Sequence, residues 1–222
     1  DLARATRIYN QMLSDPDCTV FLVIAGSTSA AGCMDAYAEL VRNNMVDGIV
    51  ATGATIVDMD FFEGLGHKHY QALEIPDDDT LRSLYIDRIY DTYIDEEDLQ
   101  HVDHTVFDIA ETLEARPYSS REFIREMGKY LVEHGKKENS LVKLAYEHDV
   151  PIFVPAFSDC SAGFGLVKHQ VERMKAGKPY MSIDSVADFR ELTDIKIAAG
   201  TTGLLMIGGG VAKNFILGNG VF

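Results

Sequence analysis

Apolar residues along this chain fall into two rhythms. In the first, short runs are uniformly apolar and rich in β-branched residues: 19–24, 48–51, 151–156 and 204–207. Runs of this length and composition predict strands buried on both faces. Each breaks into small residues, at 25–32, 52–55, 157–163 and Gly208, Gly209 and Gly210. In the second rhythm, apolar positions recur at helical spacing. Ile8, Met12 and Leu13 predict a helix over 5–13, and further helices are predicted over 34–44, 59–65 and 166–176. Another begins near Ile183, with Asp184 or Ser185 as its N-cap, and ends near Gly200.

The middle of the chain, 81–148, reads as mostly helical. Ile86, Ile89, Tyr90 and Tyr93 fall at helical spacing, as do Phe107, Ile109 and Leu113. Ser119 to Glu122 opens a helix to about 134, and 141–147 forms another. Pro76 with Asp77, Asp78 and Asp79, and Arg116 with Pro117, punctuate the region. Its helices run straight into the next strand, so it is not a separate domain. Strands alternating with helices predict an α/β fold: one Rossmann-like, doubly wound domain over 1–222, with a mostly parallel sheet and helices on both faces. Such sheets bind ligands outside the carboxyl ends of their strands, where the four small-residue turns lie.

Composition narrows the partners. The net charge of -15 is the wrong sign for nucleic acid. It suits a cationic ligand such as a polyamine, or serves solubility alone. No run of apolar residues is long enough for a membrane helix. The first residues lack the features of a signal peptide, and the chain begins without Met. Cys18, Cys33 and Cys160 are odd in number and show no CxxC spacing, which favours a reduced, cytoplasmic chain.

Individual residues offer several chemistries. Asp159 is suited to accept ribose hydroxyls, hold an amine or cap a helix. Asp58 and Asp60 follow the second strand as acids of a first helical turn. Cys160 reads as a small buried residue rather than a nucleophile. His67 with His69, and His101 with His104, match no zinc pattern and read as surface histidines. Lys213 is placed either to contact a phosphate or to form a Schiff base, or is simply solvated. Neither GxGxxG nor a Walker A loop is present, yet four small-residue turns together favour a dinucleotide or a phosphate-bearing ligand.

Four segments together resemble the deoxyhypusine synthase family: CTVFLVIAGSTSAAG at 18–32, NNMVDGIVATGA at 43–54, HDVPIFVPAFSDCSAG at 148–163 and GLLMIGGGVAKN at 203–214. VDMDFFEGLGHKHY at 57–70 and FSDCSAGFG at 157–165 resemble its bacterial and archaeal deoxyhypusine synthase-like branch. The resemblance implies NAD as cofactor and transfer of the aminobutyl group of spermidine, by way of an enzyme lysine, to an acceptor amine. That acceptor is a lysine of a translation factor, or putrescine in homospermidine synthesis. A non-catalytic relative that binds NAD or polyamine is the alternative. The resemblance also implies a homotetramer with active sites at the dimer interface.

By resemblance, the NAD site comprises Gly26, Ser27, Thr52, Gly53, Asp58, Asp159, Gly208, Gly209 and Gly210. Val57 and Asp58 stand where the eukaryotic form has two glutamates. On the amine side, Asn214 replaces a histidine of the spermidine pocket and Phe164 replaces an amine-binding aspartate. The chain has no Trp, so the family's C-terminal Trp-Gly-Lys segment, which carries the nucleophilic lysine, is expected to be missing. No catalytic residue and no metal ligand is assigned.

Overall fold

The structure is a computed structural model that describes residues 1–26, 28–74 and 76–218, with Ser29 and Ala30 described by backbone alone. In chain order its elements are α1 (Leu2–Ser14), β1 (Cys18–Ile24), α2 (Met34–Arg42), β2 (Gly48–Ala51), α3 (Phe62–Gly64), β3 (Tyr70–Gln71), α4 (Asp78–Ser83), β4 (Ile86–Ile89) and β5 (Thr92–Asp95). There follow α5 (Glu96–Thr112), β6 (Pro117–Tyr118), α6 (Ser120–His134), α7 (Leu141–Glu147), β7 (Ile152–Phe153), α8 (Gly163–Lys175), β8 (Ser182–Ile183), α9 (Ser185–Ala199), β9 (Thr201–Ile207) and α10 (Gly210–Gly218). Wide-turn helical segments, Ser29–Cys33 and Ala54–Phe61, lead into α2 and α3.

The four apolar runs become one parallel sheet in the order β7-β2-β1-β9. Successive side chains of a strand point to opposite faces, and both faces are apolar. Val20, Leu22, Ile24, Ile49, Ala51 and Ile152 join a core with Met34, Tyr37 and Val41 of α2 and Val142 of α7. Phe21, Val23, Val50 and Phe153 join a smaller core with Leu192 of α9 and with Ala212 and Ile216 of α10. The sheet is therefore covered on both sides, as the alternation predicts.

The chain winds outward from β1 through β2 to β7, then returns to the far side of β1 as β9. The direction of winding thus reverses between β1 and β9. That is where a crevice opens in doubly wound sheets.

Capping follows the sequence closely. Ser119 and Glu122 form a reciprocal capping box on α6, and Asp184 caps α9. Asp95 caps α5 and Asp77 caps α4, so the Asp77 run starts a helix. Two expectations fail. Residues 86–95 are not helical but form the β4–β5 hairpin, which turns through Tyr90 at φ +56°. Their helical spacing coincides with a period-two strand in which Ile94 is the buried residue. The helix predicted at 166 begins at Gly163, which brings Phe164 into its first turn. Among the described residues, no helix is long and apolar enough to cross a membrane.

Candidate functional site at the strand ends

The four turns after β1, β2, β7 and β9 touch one another in the order of their strands. After β9, Gly208 has φ +92°, and a β-carbon on it would meet the Ala25 carbonyl oxygen at 2.9 Å. Only glycine fits a left-handed position that close to another backbone. The Ala25 N–H donates to the Ile207 carbonyl at 3.0 Å. The first and second turns are tied by the Thr55 hydroxyl, which donates to the Gly26 carbonyl, and Thr55 also lies 3.1 Å from the Thr52 hydroxyl. The second and third turns meet where Gly53 lies against Cys160.

Gly209 and Gly210 face open space: among the described residues, a β-carbon on either would meet nothing within 4 Å. Gly210 starts α10. The first N–H groups of a helix have no intrahelical acceptor and carry its positive dipole end. Bare backbone at a helix start suits the phosphates of a dinucleotide. Gly26 has φ +78°, and among the described residues a β-carbon on it would also meet nothing within 4 Å. Ser27 lies outside the described residues.

The two aspartates expected at the cofactor have different surroundings. Asp159 is exposed, and it does not cap α8, whose N-cap is Ala162 without a side-chain bond. Asp58 instead clamps the third turn. It accepts from the Ser161 hydroxyl at 2.6 Å and from the Ser161 N–H at 3.2 Å. Burial raises its pKa, the bonds from Ser161 and Ala162 oppose that rise, and the nearby Asp159 charge adds to it. Asp58 thereby fixes the loop on which Asp159 stands.

Cys160 is half-buried in this turn, and its thiol donates to the Phe157 carbonyl. Burial, and then the Asp58 charge, push the thiol up to about 12. A thiol held protonated is a poor nucleophile, in line with its reading as a packing residue.

Asp60 departs from the expectation of an acid in the first turn of its own helix. It is fully buried and caps α7 from a distant part of the chain, accepting from Leu141 N–H at 2.9 Å, Val142 N–H at 2.8 Å and the Ser140 hydroxyl at 2.8 Å. The histidines also differ from a purely surface role. His67 bonds to His101 at 2.9 Å and to Asp98 at 3.0 Å. His69 is only 6% exposed and pairs with Glu63 at 2.7 Å. Among the described residues, no group of three or more metal-binding side chains converges.

The amine-side candidates sit at opposite ends of the row. Phe164, 69% exposed, opens α8 after β7, and Asn214, also exposed, lies on α10 after β9. The sheet order places three strand spacings, about 14 Å, between those strands. One residue the pattern did not single out belongs here. Asp103 of α5 lies near Asp58, and its Oδ1 is buried without a hydrogen-bond partner among the described residues. Burial, followed by Asp58 and Glu96, pushes its pKa up to about 7. No short motif marks it, because it arrives from a separate helix.

A family model described as deoxyhypusine synthase matches residues 1–222. The chain belongs to the deoxyhypusine synthase family. A deoxyhypusine synthase-like protein of Coxiella burnetii is 69% identical over 97% of this chain and 61% of its own length. Another, from Caulobacter vibrioides, is 65% identical over 97% of this chain and 59% of its own length. The chain thus spans about three fifths of these relatives. A solved structure from Entamoeba histolytica, provisionally described as a deoxyhypusine synthase, shares the fold with a TM-score of 0.70 at 20% identity, covering 94% of this chain and 69% of that one. Within the family, the bacterial deoxyhypusine synthase-like proteins are the near relatives.

Proposed function

We propose that this chain binds NAD along the four strand ends and serves NAD-dependent transfer of the aminobutyl group of spermidine to a lysine of a translation factor. The observation that carries this reading is the continuous row of turns, in which open glycine backbone stands at one end and a fixed aspartate loop at the other. NAD, when bound, supplies reversible hydride transfer.

The chain's own residues do the rest. Backbone N–H groups at Gly209 and Gly210 receive the negative phosphates, with Gly26 lining the same crevice. Gly53 lets the second and third turns close up, and the Thr52 hydroxyl meets that of Thr55, which ties the second turn to the first. Asp159 accepts ribose hydroxyls, and Asp58 holds its loop in place. Asp58, Asp103 and Asp159 together favour a cationic amine nearby. No residue of this chain is assigned as the nucleophile.

Family membership supports the reading. The test is incubation of the full-length protein with NAD and spermidine, with either the translation factor or putrescine as acceptor, followed by mass spectrometry. Aminobutylated lysine supports the proposal. Homospermidine alone would move the acceptor to putrescine, and transfer to neither would overturn the reading in favour of a binding protein without catalysis.

We also propose a homotetramer with sites at a dimer interface. Phe164, Val167, Val171 and Met174 form an exposed apolar stripe at helical spacing along α8, and such stripes mark association surfaces. Light scattering that finds only monomer would overturn this part.

A further inference from the structure

Beside Phe164, helices α5 and α8 enclose a cavity of about 230 Å³ lined by Gln100, Asp103, His104, Phe164, Gly165 and Lys168. The helices meet backbone to backbone there. A β-carbon on Gly165 would collide with the Asp103 carbonyl oxygen and meet the Phe107 nitrogen at 3.1 Å. This contact sets the Asp103 carboxyl beside the turn that Asp58 clamps.

The lining has one unmet need. Asp103 Oδ1 is sealed from solvent with no hydrogen-bond donor among the described residues. A buried acceptor left unpaired is costly, and a buried charge more so. Neighbouring cations do not meet the need. Lys168 places its Nζ over the Phe107 ring, 4.8 Å from the centroid, and forms no ion pair with Asp103. The Nδ1 of His104 lies 2.7 Å from the Gln100 carbonyl oxygen. The other charged groups acting on Asp103 are the acids Asp58 and Glu96.

We propose that this cavity receives one primary ammonium end of a linear polyamine, with Asp103 as its counter-ion. The inference rests on the polyamine reading above and names the residue that anchors one end of the substrate. An ammonium brings a positive charge and three donors to a carboxyl oxygen that neither Lys168 nor His104 pairs. Phe164, which lines the cavity, offers an aromatic surface on which a cation is favoured. A neutral amide end lacks the charge and so is rejected.

The experiment is calorimetric titration of the full-length protein with NAD, with spermidine, and with spermidine acetylated on both primary amines. The wild type is expected to bind spermidine and to lose affinity on acetylation. In D103N, spermidine binding should weaken roughly tenfold or more, the loss of one charged hydrogen-bonded contact, while NAD binding is kept. Wild-type affinity should rise between about pH 6 and 8 as Asp103 ionises, with proton release visible as buffer-dependent heat. D103N should lose that dependence, which a merely structural residue would not control.

Equal spermidine affinity in D103N, or equal binding of the acetylated amine, overturns this inference and leaves the proposed function standing. A wild type that binds NAD but no spermidine overturns both.

Discussion

Gly53 and Cys160 are packed so closely that a β-carbon on Gly53 would lie 2.6 Å from Cys160 Cβ and 2.8 Å from its Sγ. The contact joins the turn after β2 to the turn after β7. Gly53→Ala must push them apart, because the nearest atom is the Cβ of Cys160, which the backbone holds in place. Overpacking of this kind costs about 1–3 kcal/mol. Chemical denaturation should show that loss, and NAD titration should show weaker binding. C160S, which relieves none of the Cβ clash, should not rescue it. Unchanged stability and NAD affinity would mean that the two turns do not need this contact.

Asp58 and Asp159 should separate cleanly in a mutational test. Asp58→Ala removes the acceptor of both Ser161 bonds and should cost about 1–3 kcal/mol of stability. Asp159→Ala removes an exposed side chain and should leave the thermal midpoint within about a degree or two. Its effect should fall on NAD affinity instead. Equal loss of stability in both variants would contradict the division of roles.

Asp60 offers a test of a different contact. Its carboxylate caps α7 through two backbone N–H groups and one hydroxyl. Asp60→Ala strands those buried donors and should cost about 2–4 kcal/mol in urea unfolding. Asp60→Asn keeps one acceptor oxygen but turns an NH₂ toward the remaining donors, so it should recover only part of the loss. Full recovery would show that charge and the second acceptor contribute nothing.

Stability should vary with pH in a definite direction. Burial pushes Asp60 and Asp188 up to about 6 and Asp103 up to about 7. Each binds its proton more tightly folded than unfolded, so each contribution is present at low pH and is lost as pH rises from about 4 through 6 or 7. Bonds to His69 and Lys137 lower Glu63, and Arg116 lowers Glu122. Their contributions run the other way and are lost as pH falls below about 4.5. The thermal midpoint should therefore peak near pH 5 and decline toward pH 8, with D103N flattening the upper part of that decline. A midpoint that rises from pH 5 to pH 8 would contradict this assignment.

The strand ends were legible because their signal is local. A buried parallel strand must be short and apolar, and its turn must be small where another turn presses on it, as at Gly53 and Gly208. The hairpin at 86–95 was not legible, because Ile86, Ile89, Tyr90 and Tyr93 satisfy helical spacing while the chain reverses at a left-handed tyrosine. Non-glycine residues in that conformation leave little trace in sequence. The early start of α8 was hidden for a related reason. Gly163 and Gly165 argue against a helix, yet Gly165 is what lets α8 touch α5. The cap that Asp60 makes and the placement of Asp103 were not legible because their partners come from elsewhere in the chain: Asp60 bonds α7 some 80 residues on, and Asp103 meets the third turn only after folding.

The unequal size of the two cores carries a dynamic consequence. Helix α10 is held on the smaller one, chiefly through Ala212 and Ile216 against Phe21, Val23 and Val50. Elements with few buried contacts open locally at a fraction of the global unfolding free energy. Amide protons of α10 should exchange with solvent well ahead of those in β1 and β2. Because the open glycines stand at its start, a ligand there would slow that exchange, and binding at the crevice would be coupled to how fully α10 is formed.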